Sequence, residues 1–270
     1  MRSFKLTIAY DGAAYQGWQI QANGPTIQAE IESALKQVTG ADIRVTASGR
    51  TDAGVHALGQ VASFDSATEH STETLQRALN SHLPVDIRVL SVEEAPVGFH
   101  AIRDAVSKRY RYFIQDGGVR DPFLRGWAWY MPQKLDDWNM QDAATELVGE
   151  HDFATYQSSG SPRSSTVRTI LDFTVERQVG QLCEPIVIEV SANGFLYNMV
   201  RNLVGTLAEV GLGKQPIEWP HSILSSQDRR IAGPTAPPQG LFLVSVEYPT
   251  DETAETDKAE GETNEPEKNT

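Results

Sequence analysis

The chain has 270 residues, 40% of them apolar, with one cysteine (Cys183), a net charge of −13 and no apolar run long enough to cross a membrane. That length supports one or two domains with a sizeable core, and a single cysteine excludes an intrachain disulfide framework and points to a reducing, cytoplasmic compartment. The acidic balance excludes an indiscriminate polyanion binder, so any nucleic-acid partner must meet a local basic surface.

Residues 1–16 alternate polar and apolar without an apolar h-region, so no secretory signal is expected. In 4–10, Phe4, Leu6, Ile8 and Tyr10 would share one strand face. The turn "NGPT" (23–26) offers Thr26 as an N-cap. Ile27, Ile31, Leu35 and Val38 then recur at helical spacing up to Gly40. Strands are expected near 42–48 and 60–64, a helix near 72–80, and a strand at 86–92 after the turn "LPVD". A linker fits 95–105. "KRYRYFI" (108–114) predicts a strand ending at Gly117 and Gly118. A helix near 135–148 and strands near 168–176 and 185–191 follow. The strongest helix is expected from about Phe195, with Leu196, Met199, Val200, Leu203, Val204 and Leu207 on one stripe, stopped by Gly211 and Gly213. A last strand covers 240–248. Beyond it, 251–270 holds eight acids and two lysines, −6 of the total charge. It has no aromatic or β-branched aliphatic residue, and reads as an acidic disordered tail.

Three stretches carry candidate chemistry. "GRTDAGVHA" (49–57) sets Arg50, Thr51, Asp52 and His56 among two glycines, a poor helix and a poor strand. Asp52 can be a turn or cap residue accepting backbone N–H groups, or a catalytic carboxylate. A metal site with His56 lacks further ligands at suitable spacing, and the other histidines are scattered. "SKRYRYF" (107–113) puts Tyr110 and Tyr112 on one strand face and Arg109, Arg111 and Phe113 on the other. Interleaved aromatic and basic residues suit a polynucleotide surface, and equally suit an ordinary amphipathic strand. In "NGFLYNMVRNLVGTL" (193–207), Arg201 lies off the apolar stripe on the side of Gly205 and Ala208. The helix macrodipole disfavours a cation in the early turns, so Arg201 calls for an acidic partner or an anionic ligand, or else it is a solvated surface residue.

Taken in order, these stretches resemble the bacterial tRNA pseudouridine synthase A family. The resemblance runs from "YDGAAYQGWQIQ" (10–21) through "ASGRTDAGVHALGQVASF" (47–64), "LNSHLPVDIRV" (79–89), "GFHA" (98–101), "SKRYRYF", "GEHDFATY" (149–156), "STVRTI" (165–170) and "NGFLYNMVRNLVGTL" to "DRRIAGPTAPPQGL" (228–241). It implies an α+β pseudouridine synthase fold with two domains, 1–102 and 103–249, whose antiparallel sheets, flanked by helices, surround a central cleft, followed by the tail 250–270. It implies an isomerase of tRNA processing that converts uridine to pseudouridine at nucleotides 38, 39 and 40 of the anticodon stem-loop. The partners implied are tRNA and a second copy of the chain in a homodimer, with no cofactor and no metal. By position, Asp52 matches the catalytic aspartate, Arg201 the basic residue paired with it, Tyr110 the tyrosine that stacks on the target base, and Arg50 an arginine that brings the nucleotide out of the stack. The chain departs from the family at Ile102, where an arginine is usual; Arg103 is the candidate to make that residue's backbone contact.

The reaction breaks the C1′–N1 bond, turns the base and joins C1′ to C5, so nothing is oxidised. Attack on C1′, attack on C6 and removal of a C2′ proton all start from an ionised carboxylate. Burial alone would protonate Asp52, and an adjacent guanidinium opposes that. Three rivals remain: an RNA-binding module without catalysis, a pseudouridine synthase acting on other RNA, and a glycoside hydrolase, which needs a second positioned carboxylate.

Overall fold

The computed structural model describes residues 1–160, 164–180 and 184–249, and the expected tail lies outside them. Strand β1 (Arg2–Tyr10) buries Phe4, Leu6, Ile8 and Tyr10, as the alternation predicts. Helix α1 (Ile27–Thr39) starts at Thr26, whose side chain accepts from the Ala29 N–H, and ends at Gly40 with φ 74°. Between 42 and 48 only Thr46–Ala47 (β2) pairs as a strand. Helix side chains hold the neighbouring backbone instead. Glu32 accepts from the Val45 N–H at 3.1 Å, and Gln28 Nε2 donates to the Val45 carbonyl at 3.3 Å. Strand β3 (His56–Ser66) begins directly at the end of the Asp52 loop. Helix α2 (Thr72–His82) and strand β4 (Ile87–Ala95) follow.

The second half contains β5 (Ser107–Asp116), β6 (Trp129–Met131), α3 (Asp137–Thr145), β7 (Gly149–Asp152), β8 (Val167–Arg177), β9 (Ile186–Ala192), α4 (Met199–Gly211) and β10 (Leu241–Glu247). Helix α4 starts at Met199, not near Phe195. The Tyr197 carbonyl, which a longer helix would offer to residue 201, accepts from the Ser158 N–H at 3.0 Å, and Asn198 turns left-handed with φ 58°. Residues 193–198 are therefore a bend that leads into the helix.

The strands run β4-β1-β3-β10-β5-β9-β8-β7, with β2 on β3 and β6 on β5. Every pairing is antiparallel except β10 with β3 and β5 with β6. Helix α2 packs on β4, and α3 packs on β8 and α4. The chain is thus α+β with helix-flanked, largely antiparallel strands, and the strands of its two halves are continuous through β10. That strand, last in sequence, lies between β3 and β5. Phe242 pairs with His56 and Leu243 with Ala57 in parallel, while Leu243 pairs with Tyr110 and Leu241 with Tyr112 antiparallel. This register brings the Asp52 loop, the segment that enters β10 and Tyr110 to one place in mid-sheet.

Candidate active site

The Asp52 loop is held from below by buried polar groups. The Tyr10 hydroxyl and Thr51 Oγ1 are 2.8 Å apart, Gln60 Nε2 donates to the Gly49 carbonyl at 2.8 Å, and Ser48 Oγ donates to Gln60 Oε1 at 2.9 Å. Burial pushes the Tyr10 hydroxyl up to about 12, so it stays neutral. Gly54 sits at φ 77°, which lets the turn close with the Val55 N–H donating to the Asp52 carbonyl at 3.1 Å. With Thr51 turned into this network, Asp52 faces outward.

His56 does not join Asp52. It is fully buried and points away, accepting the Gly12 N–H at Nδ1 (3.1 Å) and reaching the Gly126 carbonyl with Nε2 (3.1 Å), while its ring stacks on Phe242. Asp11 Oδ1 is 3.0 Å from Nδ1, yet burial outweighs it and holds the imidazole pKa below its usual value. Nδ1 lies within reach of the Gly12 N–H and the Asp11 carboxylate and Nε2 within reach of the Gly126 carbonyl, so the imidazole bridges separate segments rather than serving Asp52.

Asp52 faces a cleft of about 1120 Å³ whose walls come from both halves of the chain. Arg201, in the first turn of α4, reaches across. Its Nη1 is 3.3 Å from Asp52 Oδ2 and 3.0 Å from Asn198 Oδ1, and its Nε donates to the Ala236 carbonyl at 2.7 Å. The Asp52 side chain is 31% exposed, and its pKa is raised from the usual carboxylate value. Burial is the largest cause, and the charge and hydrogen bond of Arg201 offset it only in part. Tyr110 is buried on the cleft wall with its ring edge-on to Phe195 at 5.0 Å. Burial first, then Tyr10 and Asp52, pushes its phenol well above the usual range, so it is neutral. Arg50 is exposed on the cleft and on an adjoining recess of about 410 Å³ that shares Thr51, Asp52, Tyr197 and Arg201.

Asp52 is the sole acid among the described cleft-lining residues, whereas Arg44, Arg50, Lys108, Arg168 and Arg201 are cations. A basic cleft therefore sits in an acidic protein, and it offers no second carboxylate for glycoside hydrolysis. Among the described residues no group of three or more His, Cys, Asp or Glu side chains is clustered as metal ligands.

The expected division of faces in 107–113 holds: Tyr110 lines the cleft, whereas Arg109 and Arg111 do not. Arg109 Nη1 pairs with Asp172 at 2.9 Å and Glu189 at 3.4 Å, and Arg111 Nε with Glu189 at 2.6 Å, so their charge is met on the opposite face of the sheet. Arg103 does not stand in for the arginine missing at 102. Its guanidinium donates to the Gly98 carbonyl at 2.9 Å and to Asp104 at 3.0 Å, and Ile102 presents an apolar side chain to the cleft. Tyr197 and Gln60 were not singled out by the sequence reading. Gln60 had a signal, an amide among the apolar residues of a strand. Tyr197 had none, because its position depends on the bend before α4.

A family model described as tRNA pseudouridine synthase matches residues 6–102 and 143–249; Tyr110 lies between the two matched segments. Proteins described as tRNA pseudouridine synthase A are similar over 92% of this chain and all of their own length. They include those of Thermoanaerobacter sp. (strain X514), 45% identical, Listeria welshimeri, 46%, and Geotalea uraniireducens, 45%.

Proposed function

From the premise that the chain belongs to the tRNA pseudouridine synthase family, we propose that it isomerises uridines 38, 39 and 40 of the tRNA anticodon stem-loop to pseudouridine. The observation that carries this reading is the single carboxylate of Asp52, paired with Arg201 in a cleft otherwise lined by cations. Cations on the walls take the RNA backbone, and sequence-independent phosphate contacts position the strand. Arg50, exposed at the mouth, helps to bring the target nucleotide out of the stack, a step that costs a few kcal/mol. Stacking on Tyr110, about 1–3 kcal/mol per base, offsets part of that.

Asp52, ionised and oriented by Arg201, starts cleavage of the C1′–N1 bond. The freed uracil turns in the water-poor cleft and C5 bonds to C1′. The C5 hydrogen leaves as a proton and N1 gains one, so atoms and electrons balance without a redox partner. The neutral Tyr110 phenol stacks on the base and can relay the C5 proton, but it is a weak base for removing it unaided.

The same reading makes the protein a cytoplasmic homodimer in which one tRNA spans both subunits, and it divides the chain into working halves at about residue 102. Pseudouridine mapping of tRNA before and after incubation with the purified protein tests it. New pseudouridine at nucleotides 38–40 is expected. Unchanged tRNA would point to a binding module, conversion at other sites to another RNA substrate, and free uracil to a hydrolase.

A further inference from the structure

Asp52 keeps its charge only as well as Arg201 is aimed at it, and besides Asn198, which accepts from Nη1, Arg201 is aimed by a stretch of chain that lines neither the cleft nor the adjoining recess. Residues 233–236 lie backbone against backbone along α4. A Cβ on Gly205 would stand 1.7 Å from the Pro234 carbonyl oxygen, and one on Gly233 would stand 2.6 Å from Thr206 Cα. Three hydrogen bonds bind the segment to the helix. Gly233 N–H donates to Thr206 Oγ1 at 3.0 Å, Ala236 N–H to the Arg201 carbonyl at 3.0 Å, and Arg201 Nε to the Ala236 carbonyl at 2.7 Å. The last of these fixes the plane of the guanidinium whose Nη1 faces Asp52.

Beside these bonds is a closed triangle of side chains. Thr235 Oγ1 donates to Asn202 Oδ1 at 2.6 Å, and Arg229 Nη2 donates to Asn202 Oδ1 at 2.8 Å and to Thr235 Oγ1 at 2.9 Å. Asn202 is fully buried and spends its Nδ2 on the Tyr156 carbonyl at 2.8 Å. Among the described residues Arg229 has no carboxylate within ion-pair distance, and burial holds its pKa below the usual guanidinium value. A guanidinium partly withdrawn from water and matched only to neutral acceptors is a poor stability device. Its planar fork is a good positioning device, because one nitrogen ties both the residue after Arg201 and the residue before Ala236.

We propose that Arg229, Thr235 and Asn202 are positioning residues for the isomerisation, acting through the 233–236 strap to hold the Arg201 guanidinium against Asp52. This rests on the pseudouridine synthase reading. The charged and titratable groups around Asp52 are Arg201 from α4, Tyr110 and Lys108 from β5, and Arg50 from its own loop. Of these, only Arg201 is bound by the strap.

The test is the pH profile of tritium release from tRNA carrying 5-tritiated uridine, measured for the parent and for Thr235→Val, with Arg229→Gln as a second variant. Thr235 is exposed, and valine keeps its shape while removing the hydroxyl. With Arg201 loosened, the acid limb should move up by about one pH unit. Below that limb kcat should fall about tenfold, with recovery at higher pH and an unchanged KM for tRNA. An unmoved limb, with only a lower melting temperature, would make the triangle purely structural and overturn the proposal. A raised KM with a shallower salt dependence would overturn it too, by making Arg229 a phosphate contact. Absence of tritium release from the parent would instead sink the pseudouridine synthase reading itself.

Discussion

Two carboxylate–arginine pairs in this molecule behave oppositely. Asp116, at the end of β5, has a fully buried side chain, yet its pKa is lowered. It accepts from Arg177 Nη1 at 2.7 Å and Nη2 at 3.1 Å and from the Leu135 N–H at 2.7 Å, with Lys134 Nζ at 3.4 Å. Asp52 is 31% exposed, yet its pKa is raised, because one nitrogen of Arg201 at 3.3 Å is its only charged partner among the described residues. Burial opposes ionisation at both sites; the number and quality of donors decides the outcome. The fold could supply a full set of donors and did so at Asp116. At Asp52 an oxygen is left open toward the cleft, where a substrate can approach.

The sharpest test of that contrast is Asp52→Asn. Turnover should fall by about four orders of magnitude or more, the scale seen when an essential catalytic group is removed, with tRNA affinity retained; tritium release and filter binding measure the two. Stability should hold or rise at neutral pH. An acid with a raised folded pKa binds its proton more tightly when folded, so ionised Asp52 destabilises the fold above that pKa and asparagine removes the effect. A clear drop in melting temperature would contradict the contrast.

Asp116→Asn should do the reverse. It removes the charge opposite Arg177, which keeps Asp137 at 2.8 Å, and should cost about 1–3 kcal/mol in denaturant unfolding, with turnover per folded molecule unchanged. The Asp116 contribution is present above the ordinary carboxylate pKa and is lost as pH falls through the depressed value, so the gap between parent and variant should close in acid. A gap that persists at low pH would mean that the pair is not its source.

Tyr110→Phe keeps the stacking ring and removes the hydroxyl. A kcat lowered about a hundredfold with unchanged KM is expected from loss of the proton relay. A normal rate would confine Tyr110 to stacking. The smallest effect concerns His56. Its folded pKa is lowered, so the unfolded chain binds more protons, and stability should decline as pH falls below about 6.5. Melting curves between pH 7 and 5 should show that slope, and His56→Gln should flatten it.

Much of this was legible in the sequence, for local reasons. The β1 face, the Thr26 cap, the Gly40 stop and the left-handed turn at Gly54 each depend on neighbours within a few residues. The start of α4 was not legible, because Ser158 takes the Tyr197 carbonyl from 39 positions away in the chain. The strand 42–48 shrank to two residues because helix side chains, not another strand, hold Val45. The alternation in "SKRYRYF" separated tyrosines from arginines correctly, but which face met the cleft depended on Asp172 and Glu189 on strands β8 and β9.

The sequence by itself determined which residues could form each element and which side chains carried chemistry, since periodicity, caps and turns act over short distances. Tertiary structure alone decided that Asp52 and Arg201, 149 residues apart, would meet. It did so by inserting β10 between β3 and β5 and laying the 233–236 strap against Gly205. Which strands pair, and which backbones approach so closely, depends on how the whole sheet buries its apolar faces, and no local pattern encodes that.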